Sequence, residues 1–152
     1  MPFPCHYTNS ETQKTYLVTI GQSGHLTEIK AVAGPHDWGS VDWEIVGNQF
    51  LLHTIQSHPA KGTGLGSLLM HLAASEALQA NCQRMQILSA AQSERSFYQM
   101  MGCTIDTTAL ASFNQQNFTQ QEWAGLSSSC PVVADPSQVL VSSSASVYKR
   151  WS

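Results

Sequence analysis

The chain has 152 residues, of which 42% are hydrophobic and only 11% charged, with a formal net charge of −3. That length suits one domain, residues 1–152, around a single core, and so apolar a composition excludes a disordered chain. The small negative charge provides no basic field for nucleic acid, and no stretch approaches the roughly 18 apolar residues of a membrane span.

The opening residues, Met1-Pro2-Phe3-Pro4-Cys5-His6, lack the basic region and apolar run of a secretory signal. Thr15 to Ile20 is β-branched and aromatic, and Gly21-Gln22-Ser23-Gly24 offers a turn. His25 to Val32 then alternates apolar with polar residues at the period of a half-buried strand. Gly34 to Gly39 is expected to be a loop. Val41 to Val46 and Gln49 to Ser57 flank Gly47-Asn48, which predicts a hairpin.

Beyond Ser57 the period changes. Leu65, Leu68, Leu69, Leu72 and Ala73 fall at helical spacing, so a helix is predicted from about Gly66 to Ala80, ending near Asn81. Arg84 to Ala90 is a short strand, parallel to the one before the helix by the handedness of strand–helix–strand crossovers. A second helix is expected from Ser93 to Met101, stopped by Gly102. Residues 109–128 are rich in Gln, Asn and Ser, with a short helix suggested at Thr119 to Trp123. Val139-Leu140-Val141 and Val147 to Trp151 are expected to be closing strands. The fold class is therefore mixed α/β (α+β), an antiparallel N-terminal meander followed by a β-α-β-α half.

The chemistry concentrates at Lys61-Gly62-Thr63-Gly64-Leu65-Gly66. Alternate glycines running into a helix bring backbone N–H groups together without side-chain obstruction. The helix dipole and the Lys61 charge add positive potential, which suits a phosphate. A Walker A loop needs a lysine directly after its last glycine, and none follows Gly66. A dinucleotide fingerprint needs a glycine where Ser67 stands and an acid near position 84, where Arg84 stands. Context thus opposes both nucleotide readings.

The order of motifs resembles the GCN5-related N-acetyltransferase (GNAT) superfamily. Its pattern has a strand ending in V-x-P, then [RQ]-x-x-G-x-[GA] opening a helix, a further strand, and a helix carrying an aromatic pair before Gly. Here these correspond to Ser57-His58-Pro59, Lys61 to Gly66, Ile87 to Ala90, and Phe97-Tyr98 with Gly102. The resemblance covers about residues 50–103. Lys61 stands where Arg or Gln is usual, Gln92 where Asn is common and Cys103 where Phe is common. The helical pair that usually follows the first strand has no counterpart between Ile20 and Val41.

The resemblance implies an acyl-CoA-dependent N-acetyltransferase, with acetyl-CoA or another acyl-CoA as co-substrate and a primary amine as acceptor. It places the pyrophosphate on Lys61, Gly62, Thr63, Gly64, Leu65, Gly66 and Ser67, with Gln92 nearby. The pantetheine arm would follow the exposed strand edge at Ile55, Gln56 and Ser57. Tyr98 matches the family's general acid, a phenol being protonated at neutral pH; ordinary packing is its alternative. His53 is the preferred base, because histidine titrates near physiological pH; its alternative is a half-buried histidine bonded to a backbone carbonyl. Glu44 and His58 stand in reserve, Glu44 acting through water. Without the helical pair the acceptor groove is expected to be open, so the amine is a small molecule or belongs to a peptide or protein.

Two other readings stay open: a CoA-binding sensor without catalysis, and an interaction protein using the Gln/Ser-rich region 109–146. The six histidines share no ligand spacing, so no metal is expected. The four cysteines form no C-x-x-C pair and suggest isolated thiols in a cytoplasmic protein. Trp38, Trp43 and Trp123 are candidates for an acceptor pocket, with core or interface packing as the alternative. Neutral polar residues dominate the polar fraction, which allows a homodimer.

Overall fold

A computed structural model describes residues 3–58, 64–90, 95–105 and 130–152. Five strands come first: β1 (Cys5–Thr8), β2 (Thr15–Ser23), β3 (Leu26–Gly34), β4 (Asp37–Val46) and β5 (Gln49–His58). Helix α1 (Leu65–Gln79) leads to β6 (Arg84–Ala90), and α2 (Arg95–Met100) to β7 (Thr104–Ile105). Then come β8 (Cys130–Ala134) and α3 (Pro136–Arg150). Among the described residues the strands form one sheet in the order β1-β2-β3-β4-β5-β6-β8-β7.

Strands β1 to β5 are an antiparallel meander, and β5 pairs in parallel with β6, as the crossover rule requires. The meander has two-residue turns at Gly24-His25, Pro35-His36 and Gly47-Asn48, so no helix interrupts it between Ile20 and Val41. The expected loop from Gly34 to Gly39 contracts to the middle turn, and Asp37 to Gly39 join β4. Asp37 is held by hydrogen bonds from Tyr16 Oη and Lys14 Nζ. Burial alone would raise the Asp37 carboxyl, but those two donors override it and hold it below the ordinary carboxylate range. Tyr16 is pushed well above an ordinary phenol by burial and by its bond to the same carboxylate.

One sheet face carries the core. Tyr16, Val18, Ile29, Ala31, Val41, Trp43, Phe50, Leu52, Met85, Ile87, Val132 and Ala134 are buried on it, in pairs two residues apart along each strand. Helix α1 lies against this face, burying Leu65, Leu68, Leu69, Leu72 and Ala73 as their spacing predicts. Met70, His71 and Ala74 are buried as well, because α3 covers the side of α1 turned away from the sheet. A helix flanked on two sides has to be apolar nearly all round. It ends at Asn81 in a left-handed conformation, φ 60°.

The region after Ala134 departs from expectation. The two strands anticipated at Val139-Leu140-Val141 and Val147 to Trp151 are a single helix, α3, with Trp151 just past its end. Asp135 caps it by accepting a hydrogen bond from Ser137 N, Pro136 occupies its first turn, and Lys149 and Arg150 lie in its last. Each is a helix-end signal. Val139, Ser143 and Val147, four residues apart, form the buried stripe. Strands β1 and β8 were not anticipated. The second helix is described from Arg95, inside the predicted range, and the helix suggested at Thr119 to Trp123 lies outside the described residues.

The α1–α3 contact contains a buried polar pair. His71 Nδ1 lies 2.8 Å from Ser143 Oγ, which itself donates to the Leu140 carbonyl at 3.2 Å. With the serine proton so used, Nδ1 is the donor of the first bond. Tyr148 meets the His71 ring edge-on at 5.9 Å. Burial lowers the pKa of His71 below that of a free histidine. The unfolded chain therefore binds a proton at His71 more readily than the folded one. Its stabilising contribution is complete above the unfolded value of about 6.5 and is lost as pH falls through the lower folded value. Urea midpoints are expected to decrease from pH 7.5 to pH 5.5, and His71→Gln, which keeps an N–H donor but does not titrate, should flatten that slope.

Candidate active site

Strand β5 makes the site possible. Its pairing with β4 jumps from Trp43↔Leu52 to Asp42↔Thr54, leaving His53 as an extra residue in a bulge. Its parallel pairing with β6 stops at Leu52↔Ile87. A bulge bends its strand and strengthens the local twist, and here it coincides with the point at which the two parallel strands part. Beyond it β5 runs on to His58 beside β4, while β6 continues beside β8, with Ala90 opposite Cys130. A wedge thus opens between β5 and β6, with Ile55, Gln56 and Ser57 on one side. Gln56 Nε2 donates to Ser40 Oγ of β4 at 3.3 Å.

The N-terminus of α1 lies at the open end of this wedge. Gly64 caps the helix with φ 86°, makes no side-chain capping bond, and is followed by a first turn without an acidic residue. No carboxylate of that turn competes for its N–H groups, which suits an anionic ligand. Leu65 and Ser67 are buried and Gly66 is half-buried. A Cβ at Gly39 would lie 2.8 Å from Leu65 Cδ2 and 3.0 Å from Leu69 Cδ1, so the bare backbone of β4 lets the start of α1 settle close to the sheet.

Helix α2 reaches the same end. A Cβ on Gly66 would be 3.2 Å from Phe97 Cε1, so Phe97 sits directly on the first turn of α1. Tyr98 is only 2% exposed and meets Phe97 edge-on at 5.4 Å. Cys103, at the end of this segment, is a buried free thiol pushed up to about 12 by desolvation, so it stays protonated and unreactive.

At the bulge, His53 Nε2 is 2.9 Å from Glu44 Oε1, with side chains 37% and 30% exposed respectively. The histidine thus faces a carboxylate rather than a backbone carbonyl. Trp43 is a core residue stacked on Phe50 at 5.0 Å. Trp38 is half-buried beneath Lys30 Nζ, 5.3 Å from its ring centre.

The structure therefore gathers Ile55, Gln56, Ser57, Gly64, Leu65, Gly66 and Ser67 around one end of the wedge, with His53 and Glu44 at its apex; Tyr98 is buried next to Phe97, which packs on Gly66. Lys61, Gly62, Thr63 and Gln92 lie outside the described residues, as does Trp123, and of His58 only the backbone is described. Sequence reasoning did not reach Trp151, whose Nε1 donates to the Gly64 carbonyl at 3.2 Å. No local pattern links positions so far apart. Among the described residues no group of three or more His, Cys, Asp or Glu side chains could hold a metal ion. No helix among them is long and apolar enough to cross a membrane.

No protein-family model matches the sequence, and no curated protein sequence matches it significantly. Solved structures do resemble the fold. An acetyltransferase from Bacillus subtilis in complex with CoA superposes with a TM-score of 0.57 at 14% identity, over 79% of this chain and 98% of that one. The PaiA N-acetyltransferase of Thermoplasma acidophilum in complex with coenzyme A gives 0.54 at 13% identity over 73% of this chain, which spans 61% of that protein's length. Tetrahymena GCN5 gives 0.54 at 11% identity, covering 74% and 69% of the two chains. The divergent parallel strands, the glycine-capped helix at their open end and these superpositions together show that the chain has the fold of the GCN5-related N-acetyltransferase superfamily.

Proposed function

We propose that this chain is an acyl-CoA-dependent N-acetyltransferase that transfers an acetyl or other short acyl group to a primary amine. The observation that carries the reading is the parting of β5 from β6 beside the bare N-terminus of α1. It offers one ligand both an anion cradle and a strand edge. The two neighbours solved with CoA supply the ligand class.

In this reading the amine nitrogen attacks the thioester carbonyl, a C–N bond forms, the C–S bond breaks and CoA leaves as the thiol. Backbone N–H groups from Gly62 to Ser67 hold the pyrophosphate, with Lys61 adding charge and Gln92 lying nearby. The edge at Ile55, Gln56 and Ser57 aligns the pantetheine amides and lends a donor to the carbonyl oxygen as charge develops there. Tyr98 gives its phenolic proton to the departing sulfur. His53, oriented by Glu44, takes the proton the amine must lose; its partial exposure lets bulk water carry that proton onward. Among the described residues the meander has no helical pair between Ile20 and Val41, which favours a peptide or protein amine over a small molecule.

A thermal-shift panel tests the reading. Acetyl-CoA and CoA are expected to raise the melting temperature, because a ligand that binds only the folded state stabilises it, by about 2.7 kcal/mol at a hundredfold excess over Kd. ATP and NAD should leave it unchanged. A rise with ATP or NAD and none with CoA would overturn the assignment.

A further inference from the structure

We propose that Trp151 is a positioning residue for the phosphate-binding turn, aiming the Leu65 N–H at the ligand through its hydrogen bond to the Gly64 carbonyl. The proposal rests on the reading of that turn as the acyl-CoA site. The Gly64 carbonyl accepts two hydrogen bonds, from Leu68 N at 3.0 Å and from Trp151 Nε1 at 3.2 Å. The first is the ordinary opening bond of the helix. The second comes from a residue beyond the end of α3. Because a peptide unit is planar and trans, the C=O of Gly64 and the N–H of Leu65 point in opposite directions in one rigid plane. A donor that fixes the carbonyl therefore fixes the orientation of the N–H. That N–H belongs to the first turn of α1, where no intrahelical acceptor exists for it.

A positioning residue has to be rigid itself, and Trp151 is held from several sides. It is 5% exposed. Its backbone N–H donates to Val147 O at 2.8 Å, and it forms an antiparallel bridge with Asn9. Next to it, Ser10 N donates to Arg150 O at 2.7 Å, and Thr8 and Ser152 exchange backbone bonds at 3.0 and 3.1 Å. The indole meets the Tyr16 ring edge-on at 5.4 Å, and Tyr16 is in turn anchored to Asp37. Asn9, fully buried, accepts the N–H groups of Glu11 and Thr12 on its side-chain oxygen and so keeps the β1–β2 turn beneath the bridge. The Arg150 stem lies beside the same turn, its Cδ 3.0 Å from where a Cβ of Gly64 would lie.

The test compares wild type with Trp151→Phe, which keeps an aromatic ring and loses the indole donor, and with Trp151→Leu, which also lacks a donor, made in parallel in case the first variant folds poorly. Calorimetry with CoA and steady-state kinetics with acetyl-CoA and an amine are the readouts. The expected result is a rise of about three- to tenfold in both the Kd for CoA and the KM for acetyl-CoA, the size of one lost hydrogen bond. The kcat at saturating acetyl-CoA and the KM for the amine should stay within about twofold. A purely structural role would lower the melting temperature without this split between the two KM values. Unchanged CoA affinity in folded variants, or an equal loss in kcat, overturns the positioning role while leaving the acyl-CoA reading intact. Failure of the wild type to bind CoA overturns both.

Discussion

Tyr98→Phe is expected to lower kcat by about 10²- to 10⁴-fold while leaving CoA binding within a factor of two. The range is that of a positioned general acid, and it corresponds to roughly 3–5 kcal/mol of transition-state stabilisation. The substitution deletes one oxygen from a side chain that is 2% exposed and packs edge-on against Phe97. Phe97 in turn rests on Gly66, so a phenylalanine at position 98 keeps the docking of α2 onto the first turn of α1. The cofactor end should thus survive while proton delivery to sulfur is lost. Thiol release measured with a chromogenic disulfide reports kcat, and calorimetry reports CoA affinity. If the wild type binds CoA but shows no turnover with any amine, the chain is a CoA-binding sensor. If the variant turns over like the wild type, Tyr98 is a packing residue and water protonates the thiolate.

Gly64→Ala is expected to weaken CoA binding by about 10- to 100-fold, equivalent to roughly 1.4–2.8 kcal/mol. At φ 86° an L-residue with a Cβ is strained, by about 1–2 kcal/mol. The new methyl would also lie 3.0 Å from Arg150 Cδ, 3.1 Å from Arg150 Nη1 and 3.4 Å from Trp151 Nε1. The Arg150 side chain can shift aside, so the backbone term dominates. Relief comes most cheaply by rotating the residue out of the left-handed region, which swings the turn's N–H groups off the phosphates. Gly47→Ala is the control, since Gly47 has φ 63°, nothing within 4 Å of an added Cβ, and a place in the β4–β5 turn. It should cost comparable stability and leave CoA affinity unchanged. Equal CoA affinity in Gly64→Ala and wild type would show that the turn's conformation is irrelevant to the ligand.

What could be read from the sequence was local in origin. The β-branched and aromatic run of β2, the alternation in β3, the Gly47-Asn48 turn and the stripe Leu65, Leu68, Leu69, Leu72 each declare themselves within a dozen residues. From them follow the meander, the helix and the parallel crossover. Helix α3 was misread because its apolar residues are few and its serines resemble a linker; the cap at Asp135-Pro136 and the basic last turn were the better guides. Small residues suit that helix, since Ser143 and Ser144 both return their hydroxyls to the Leu140 carbonyl, and Ser143 still accepts from His71. His53 was singled out by position, but its partner depends on register. Glu44 pairs with Leu51, two residues before His53, and meets the histidine diagonally beside the bulge; nothing in the spacing announces that bulge. The contact of Trp151 with Gly64 had no local signal at all.

That contact also orders events in time. Gly64 and Trp151 are 87 positions apart, and the meander and α1 need nothing beyond β6 to begin pairing. Contacts between distant positions form late, because a long loop has to close before they contribute. On the ribosome the sheet and α1 can therefore assemble while the Gly64 carbonyl still waits for its second donor. The ligand cradle gains its second hydrogen bond only when the end of α3 has emerged, so a nascent chain would pair its strands before the cradle reaches full affinity.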